Sequence, residues 1–248
     1  MDVFDDFQAG LDGLSGINVN GGPAYCVDIV MCIDATGSMA PIIEEVKRNA
    51  LAFCDKFHEE MDASGKEVKT LRIKVIAFRD YGCDGADAMA QSEFFVLPEQ
   101  NEAFRSYVMG IRATGGGDGP ESALEAMALA MRSAWTTDGA KQRHVILVFT
   151  DASAVPLRDP SRTSNPSYPA DMPASLADLG DMWAGESQEL GGMPDEKSAR
   201  LVLFTPSTSP WTDIQVWNNV WAAFSPAGKG LEDVDIDLAN QLPVNSVK

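Results

Sequence analysis

The possible folds of this chain are narrowed first by a run of apolar residues near its start. Residues 25–33 read Tyr-Cys-Val-Asp-Ile-Val-Met-Cys-Ile, with Asp28 as the only charged residue. A strand with one face in water alternates apolar and polar residues, so this run is typical of a strand buried on both faces. Residues 144–149, His-Val-Ile-Leu-Val-Phe, repeat the pattern. Such strands occur where helices cover both faces of a parallel sheet, and the two runs therefore predict an α/β fold.

Helical patterns alternate with the predicted strands along the chain. The connection between the predicted strands 71–78 and 94–97 lacks a helical pattern, so these two are expected to form a hairpin. The sheet is therefore expected to be open and mostly parallel, with one antiparallel edge strand and helices on both faces. Another strand is expected at 199–204, and helices are expected from Pro41 and over 103–111, 122–135, 176–183 and 211–224.

The chain is expected to hold one domain. Residues 1–22 end in a Gly-, Asn- and Ser-rich stretch and are interpreted as a flexible N-terminal arm. Residues 23–248 are interpreted as a single domain, and the segment from about 153 to 196 as a long loop insertion rich in Pro, Ser, Asp and Gly. Long segments with little regular structure are often functional.

Charge and composition exclude several classes of function. The formal net charge is −18, so binding to nucleic-acid phosphates or to anionic membranes is not expected. No apolar run reaches the ~18 residues that a membrane span needs. With four cysteines, two histidines and no Cys-x-x-Cys pair, a zinc cluster is poorly supported. Cys26 and Cys32 are expected to be buried, reduced thiols, and the protein is expected to be cytoplasmic.

Oxygen-bearing side chains follow the predicted strands. Asp34, Thr36 and Ser38 form an Asp-x-Thr-x-Ser motif directly after the first buried run, and Asp151 follows the second. The carboxyl ends of parallel strands meet at one edge of the sheet, so these groups should lie together. Oxygen ligands without imidazole or thiolate favour Mg²⁺, with Mn²⁺ or Ca²⁺ as alternatives. Taken alone, each motif could also be a helix N-cap or an Asx turn.

A glycine-rich loop between these motifs carries two more acids. Asp118 and Glu121 lie in the sequence Thr-Gly-Gly-Gly-Asp-Gly-Pro-Glu, which precedes a predicted helix. The pair could cap that helix, with Pro120 in its first turn, or could contribute to the same cation site.

These motifs together resemble the von Willebrand factor type A domain and its metal-ion-dependent adhesion site. The sequences IDATGSM and VFTDA match the family's first and last motifs, and the order of motifs over about residues 24–225 matches as well. The form of the motifs is similar to that of intracellular bacterial members. The resemblance implies a Rossmann-like sheet and a binding function, in which a divalent cation links the domain to a carboxylate of a partner protein.

The middle motif departs from the family's usual threonine-bearing loop and is similar to the Asp-x-Pro-Glu loop of integrin β subunits. By that resemblance Glu121 is the better ligand candidate and Asp118 supports it. In the shorter Gly-Gly-Thr form, Asp118 would take the threonine position, and Thr114 is a weaker candidate. The ligand set therefore stays open among these three.

The sequence offers little to catalysis. It has no Gly-x-Ser-x-Gly elbow, and no lysine follows Gly115–Gly117 to complete a phosphate loop, so no nucleotide is expected. One alternative is an enzyme, because Asp-Ala-Thr-Gly-Ser also resembles the phosphorylation loop of haloacid-dehalogenase-like phosphotransferases, with Asp34 as nucleophile. Another alternative is a vestigial metal site in a structural domain.

Four further residues are candidates for contact with a partner protein. Asp80 follows the strand at 71–78 and should lie on the same edge as the predicted metal site, although it could simply pair with Arg79. The insertion at 153–196 should rise over that edge, where Tyr168, Asp171 or Trp183 could contact a partner. Trp211, Trp217 and Trp221 are expected to be core residues.

Overall fold

A computed structural model describes residues 24–48, 51, 68–117, 119–139 and 141–225. The predicted N-terminal arm lies outside the described residues, and so does Asp118. The single-domain boundaries therefore stay a prediction.

In the described part of the chain, one sheet contains seven strands: β1 (Tyr25–Asp34), β2 (Val68–Phe78), β3 (Met89–Gln91), β4 (Phe95–Leu97), β5 (Lys141–Phe149), β6 (Ala199–Pro206) and β7 (Val220–Ser225). Six of them lie in the order β3-β2-β1-β5-β6-β7, and β4 pairs with β2 outside this order. Neighbouring strands in the series β2-β1-β5-β6-β7 run parallel. The predicted antiparallel edge is present, divided into two short strands, β3 and β4, that both pair with β2. The mostly parallel α/β architecture is confirmed.

Helices cover both faces of the sheet. On β1, Val27, Ile29, Met31 and Ile33 point into one apolar cluster, where the first two helices also contribute. Alternate residues of the same strand belong to a second cluster on the other face, together with residues of the third, fifth and sixth helices. Both faces of the central strand β1 are therefore shielded from solvent, as its apolar run predicts. The helices are α1 (described over 43–48), α2 (Asn101–Gly110), α3 (Ala123–Met131), α4 (Pro160–Thr163), α5 (Leu176–Ala184) and α6 (Trp211–Ile214).

The predicted closing helix over 211–224 is wrong. Only Trp211–Ile214 is helical, and Val220–Ser225 is strand β7, parallel to β6. Asn219 separates them with a φ of 58°, a left-handed conformation that ends helical geometry and that asparagine tolerates. Residues 220–224 form a continuous apolar run, which fits a buried strand as well as a helix. Without β7, the backbone N–H and C=O groups on that edge of β6 would lack hydrogen-bond partners, and pairing with them favours the strand over the weak helical spacing of the tryptophans. Trp211 is fully buried, as expected of a core residue.

The insertion at 153–196 contains two helices, α4 and α5, and passes over the carboxyl ends of the strands. It begins with a bridge between Ala154 and Glu121 and returns to the sheet at Ala199. Helix α5 packs its buried residues Leu179, Met182 and Trp183 into the second cluster. Among the described residues, no helix is both long and apolar enough to cross a membrane.

Candidate functional site

The candidate site lies where the chain changes direction across the sheet. Strand β1 is flanked by β2 on one side and β5 on the other, and the loops after these three strands end at the same edge. In open α/β sheets this switch point forms a crevice where ligands bind. Asp34, Asp80 and Asp151 enter the crevice from the three neighbouring strands.

Asp34 is the most enclosed member of the site. Its residue exposure is 0%, and its two carboxylate oxygens are held by threonines. Oδ1 accepts hydrogen bonds from the Thr36 backbone N–H at 2.9 Å and from the Thr36 hydroxyl at 2.6 Å, and Oδ2 accepts one from the Thr150 hydroxyl at 2.6 Å. Burial nevertheless raises the pKa of Asp34 to about 6, against the opposing effect of these hydrogen bonds.

Thr36, Ser38 and Asp151 continue this chain of oxygens towards solvent. The hydroxyl oxygens of Thr36 and Ser38 lie 3.0 Å apart, and the Ser38 hydroxyl donates to Asp151 Oδ1 at 3.0 Å. Three oxygen–oxygen contacts thus run from Asp34 to Asp151: Asp34 with Thr36, Thr36 with Ser38, and Ser38 with Asp151. The hydroxyls of Thr36 and Ser38 bring only two protons to these three contacts. With both carboxylates ionised, one contact has no proton in it, and oxygen lone pairs face each other there.

Glu121 brings a third carboxylate to the crevice from the start of α3. Its backbone is fixed by hydrogen bonds with Ser153 O and with the N–H of Val155. The residue is only 2% exposed, yet Oε2 has no hydrogen-bond partner among the residues that the structure describes. Burial raises the pKa of Glu121 to about 8, with further contributions from the negative charges of Asp34, Asp80 and Asp84. A buried carboxylate without a partner is costly, so this atom is suited to a cation.

Gly116 allows these groups to approach each other. Its φ is 76°, and a Cβ built there would lie 2.8 Å from Thr36 Cβ and 2.9 Å from Glu121 Oε1. Its N–H donates to both carboxylate oxygens of Asp84 at 3.1 and 2.9 Å. The glycine-rich loop is therefore folded against the Asp-x-Thr-x-Ser loop, and a side chain at Gly116 would collide with the predicted ligands.

Arg79 holds the surrounding loops together, a role that the sequence analysis did not assign. Its guanidinium donates to the backbone oxygens of Ala35, Thr114, Asp87 and Arg112 at 2.8–3.0 Å. These four acceptors belong to three segments around the crevice, because Arg112 and Thr114 lie in the same loop after α2. The sequence does place Arg79 directly after a predicted strand, at the same sheet edge as the predicted metal site, and this position could have indicated a role near the site.

Asp80 is not a surface group for a partner, which corrects that expectation. It is 2% exposed, and both its oxygens accept from Arg162, at 2.9 and 2.8 Å. Arg162 lies on α4, so the pair ties the insertion to the loop after β2. Arg79 does not pair with Asp80 among the described contacts. The Arg162 pairing could not be read from sequence, because 82 positions separate the two residues.

The three insertion residues proposed as partner contacts have different surroundings. Trp183 is 2% exposed and donates through Nε1 to Asn218 O at 2.8 Å, so it is a core residue and that expectation is corrected. Tyr168 is partly buried, and its hydroxyl donates to Glu125 at 2.8 Å. Asp171 is exposed, which leaves it accessible.

The three candidates for the metal ligand from the glycine-rich loop also differ in their surroundings. Glu121 points into the crevice as described above. Thr114 is exposed, and its backbone binds the site loops through Ala35 O and Arg79. Asp118 lies outside the described residues, so its role as ligand stays a prediction.

The donor set fits a hard divalent cation. Carboxylate and hydroxyl oxygens converge, Glu121 Oε2 lacks a partner, and one oxygen–oxygen contact lacks a proton. Oxygen donors of this kind suit Mg²⁺, Mn²⁺ or Ca²⁺. Among the described residues, no group of three His, Cys, Asp or Glu side chains could hold a metal by itself. The hydroxyls of Thr36 and Ser38 would therefore be needed.

Comparison with known proteins points to one class of domain. Residues 87–163 match the family model of the von Willebrand factor A domain. Over 127 residues the chain is 28% identical to the alpha-protein kinase vwkA of Dictyostelium discoideum. The aligned segment covers 51% of this chain and 18% of that protein. The chain thus spans less than a fifth of the length of this relative.

One solved structure shares the fold over most of the chain, and a second aligns over about half of it at a lower score. The pilus adhesin SpaC from Lactobacillus rhamnosus GG, in its open conformation, aligns with 92% of this chain and 31% of its own, at 12% identity and a TM-score of 0.52. The vWF domain of the type V pili tip protein Mfa5 from Porphyromonas gingivalis aligns with 53% of this chain and 40% of its own, at 18% identity and a TM-score of 0.36. Residues 87–163 therefore match the von Willebrand factor A family, and the SpaC alignment shows a shared fold over most of the chain.

Proposed function

We propose that this domain binds a partner protein through a divalent cation, most simply Mg²⁺, held at the carboxyl edge of the sheet. Asp34, Thr36 and Ser38 would hold the cation, with Glu121 and Asp151 beside them. An acidic residue of the partner would complete the coordination. The proposal concerns binding and not catalysis, and it includes neither nucleic acid, membrane nor nucleotide as a partner.

The observation that carries the proposal is the excess of oxygen over protons in the crevice. Asp34, Glu121 and Asp151 bring three carboxylates, and Glu121 Oε2 is buried without a partner. Burial and neighbouring negative charges raise the pKa of Glu121 to about 8, so the ionised carboxylate is disfavoured unless a cation lies beside it. A divalent cation would neutralise these groups and would replace the contact that lacks a proton.

The surrounding residues would prepare the site for its ligand. Thr150 and the Thr36 backbone hold the Asp34 carboxylate in one orientation, and Arg79 fixes the loops that carry the other groups. Ser38 is exposed and Asp151 is partly exposed, so the crevice is open on that side. A cation there would attract a carboxylate to a surface that is otherwise acidic.

Thermal unfolding tests the metal step. Wild type in EDTA should gain stability on addition of Mg²⁺, Mn²⁺ or Ca²⁺. A cation at 100 times its Kd adds about 2.7 kcal/mol, which is about 5–10 °C for a domain of this size. Thr36→Val should remove the shift, and Thr36→Ser should keep it because the hydroxyl is retained. Ser106→Ala, an exposed serine on α2, is the control. An equal shift in wild type and Thr36→Val would contradict the site.

The partner step can be tested with an array of short peptides that each contain one Asp or Glu, beside matched Asn or Gln versions. Binding should require both the metal and the carboxylate. Peptides that bind equally in EDTA, or equally as amides, would contradict a cation bridge.

The phosphotransferase alternative has no support from the family match or the fold. Both oxygens of Asp34 also accept hydrogen bonds from threonines, so the carboxylate is not presented as a free nucleophile.

A cytoplasmic location is part of the proposal, and the buried free thiols of Cys26 and Cys32 are consistent with a reducing compartment.

A further inference from the structure

Residues 158–171 of the insertion are attached to the rest of the domain mainly by polar contacts, and this segment is called the strap below. None of its residues is buried, and Tyr168 is the one that packs partly against the second apolar cluster. The strap is bounded by Leu157 and Met172, which are 7% and 1% exposed and belong to that cluster. A segment with few buried apolar contacts between two buried anchors is expected to open more easily than the core.

Each end of the strap has a residue in the left-handed conformation. The φ angle is 55° at Arg158 and 58° at Asp171, and the residues between them all have negative φ. Residues other than glycine are strained in this region, and rotation of the backbone away from it would relieve the strain. Hinges are residues at the ends of an element that absorb such a change of φ and ψ. Arg158 and Asp171 therefore have the position and the conformation of two hinges.

The strap is held closed by side chains that contact the loop after β2. Arg162 donates to both carboxylate oxygens of Asp80, at 2.9 and 2.8 Å. Asn165 Nδ2 donates to the backbone oxygens of Tyr81 and Gly85, at 2.8 and 3.1 Å. Each of these contacts can be replaced by hydrogen bonds to water when the strap lifts, so each contributes only modestly to holding it closed.

The strap also covers the buried acid Glu125 of α3. The Tyr168 hydroxyl donates to Glu125 Oε1 at 2.8 Å, and the Tyr81 ring packs edge-on against the Tyr168 ring at 5.2 Å. Glu125 is 0% exposed, and its Oε2 has no hydrogen-bond partner among the described residues. An ionised carboxylate is costly in such a place, and lifting the strap would let water reach it.

The charged and titratable groups around Glu125 come from the strap and from the loop after β2. Burial raises the pKa of Glu125 to about 7, the hydrogen bond from Tyr168 opposes this, the charge of Asp80 adds to it, and Arg162 lowers it. On the same side, the charge of Glu125 adds to burial in raising the pKa of Tyr81. Hydration in an open strap would return Glu125 towards its ordinary value of 4.5. Because the open form then releases its proton at lower pH, opening becomes more favourable as pH rises above 4.5.

We propose that the strap is a lid, which turns about Arg158 and Asp171, uncovers Asp80 and the adjoining side of the crevice, and opens more readily when Glu125 is ionised. Arg162 moves with the strap, and its Nη2 lies 3.5 Å from the backbone oxygen of Pro120, next to Glu121. Opening therefore gives a partner access to the crevice from this side. This consequence for binding rests on the function proposed above, whereas the opening itself does not.

Hydrogen exchange followed by mass spectrometry in EDTA tests the opening without involving the metal site. Opening constants, corrected for intrinsic exchange at each pH, are compared for a peptide that covers the strap and one that covers α5. In wild type the strap should open about tenfold more often than α5 or more, and low urea should leave its exchange unchanged, because local opening exposes little surface. From pH 5 to pH 8 its opening constant should rise by up to about 70-fold, as the two pKa values of Glu125 require.

Three variants separate the contribution of Glu125 from general effects. Glu125→Gln should remove the rise with pH, and Glu102→Gln, an exposed glutamate on α2, should keep it. Tyr168→Phe leaves Glu125 in place and removes its hydrogen bond, so the strap should open more often at both pH values.

Two results would overturn the proposal. Exchange of the strap and of α5 at the same rate and with the same urea dependence would mean that the strap opens only when the whole domain unfolds. An equal rise with pH in wild type and Glu125→Gln would mean that another group controls the opening.

Discussion

Replacing Glu125 with glutamine should make the stability of this protein less dependent on pH. Glu125 lies on α3, is 0% exposed, and accepts a hydrogen bond from the Tyr168 hydroxyl at Oε1, while Oε2 has no hydrogen-bond partner in the described part of the chain. Burial raises its pKa from 4.5 to about 7, and the hydrogen bond from Tyr168 opposes this only in part. The folded protein therefore favours the protonated acid.

The sign follows from proton binding in the two states. Between pH 4.5 and about pH 7 the unfolded chain has released the proton that folded Glu125 keeps, so the free energy of unfolding falls as pH rises through this window. Each pH unit is worth about 1.4 kcal/mol, and the loss is complete above pH 7 at about 3 kcal/mol. Glutamine remains neutral and keeps a carbonyl for Tyr168, so the variant should not show this loss.

Urea unfolding of wild type and Glu125→Gln at pH 5 and pH 8, in EDTA, measures the effect. The variant should gain about 2.5 kcal/mol relative to wild type between the two pH values, because a small part of the loss has already occurred at pH 5; this is equivalent to about 5–10 °C in Tm. Any constant cost of the glutamine N–H cancels in this double difference. Glu102→Gln, an exposed glutamate on α2, is the control. If the curves of wild type and Glu125→Gln run parallel across pH, the reasoning is refuted.

Two further substitutions probe the loops around the crevice. Arg162→Ala should lower the free energy of unfolding by about 3 kcal/mol, because it leaves the buried Asp80 carboxylate unpaired, and Arg162→Lys should recover only part of this in urea titrations. Gly116→Ala should cost about 1–3 kcal/mol and abolish metal-induced stabilisation, because its Cβ would collide with Thr36. Gly110→Ala, where a Cβ meets open space, should leave the thermal shift with Mg²⁺ unchanged, and an equal loss in both variants would contradict the collision.

Local sequence patterns were sufficient for the central sheet and for the first and last site motifs. The apolar run at 25–33 is typical of a strand with both faces covered, and every residue of β1 is buried in the structure. Asp34 and Asp151 follow two neighbouring parallel strands, so their convergence follows from topology alone. These inferences succeeded because they depend on period and order, which are properties of the sequence.

The end of the described chain shows where a local pattern was insufficient. The tryptophans at 211, 217 and 221 fit helical spacing, yet residues 220–225 pair with β6 as strand β7. Short apolar segments fit either structure, and the choice depends on whether a neighbouring strand offers unpaired backbone groups. That neighbour is 19 residues away in the pair Leu201–Val220, beyond the reach of a local pattern.

The sequence by itself determined the fold class and the kind of oxygen ligands available to a cation, since both depend on residue type and order. Only the tertiary structure decided that Glu121 is buried beside Gly116 with an unpartnered oxygen, and that Arg162 pairs with the carboxylate of Asp80. Each of these depends on burial or on charges brought together from distant parts of the chain. Burial and long-range proximity are created by folding, and no local pattern of residues carries them.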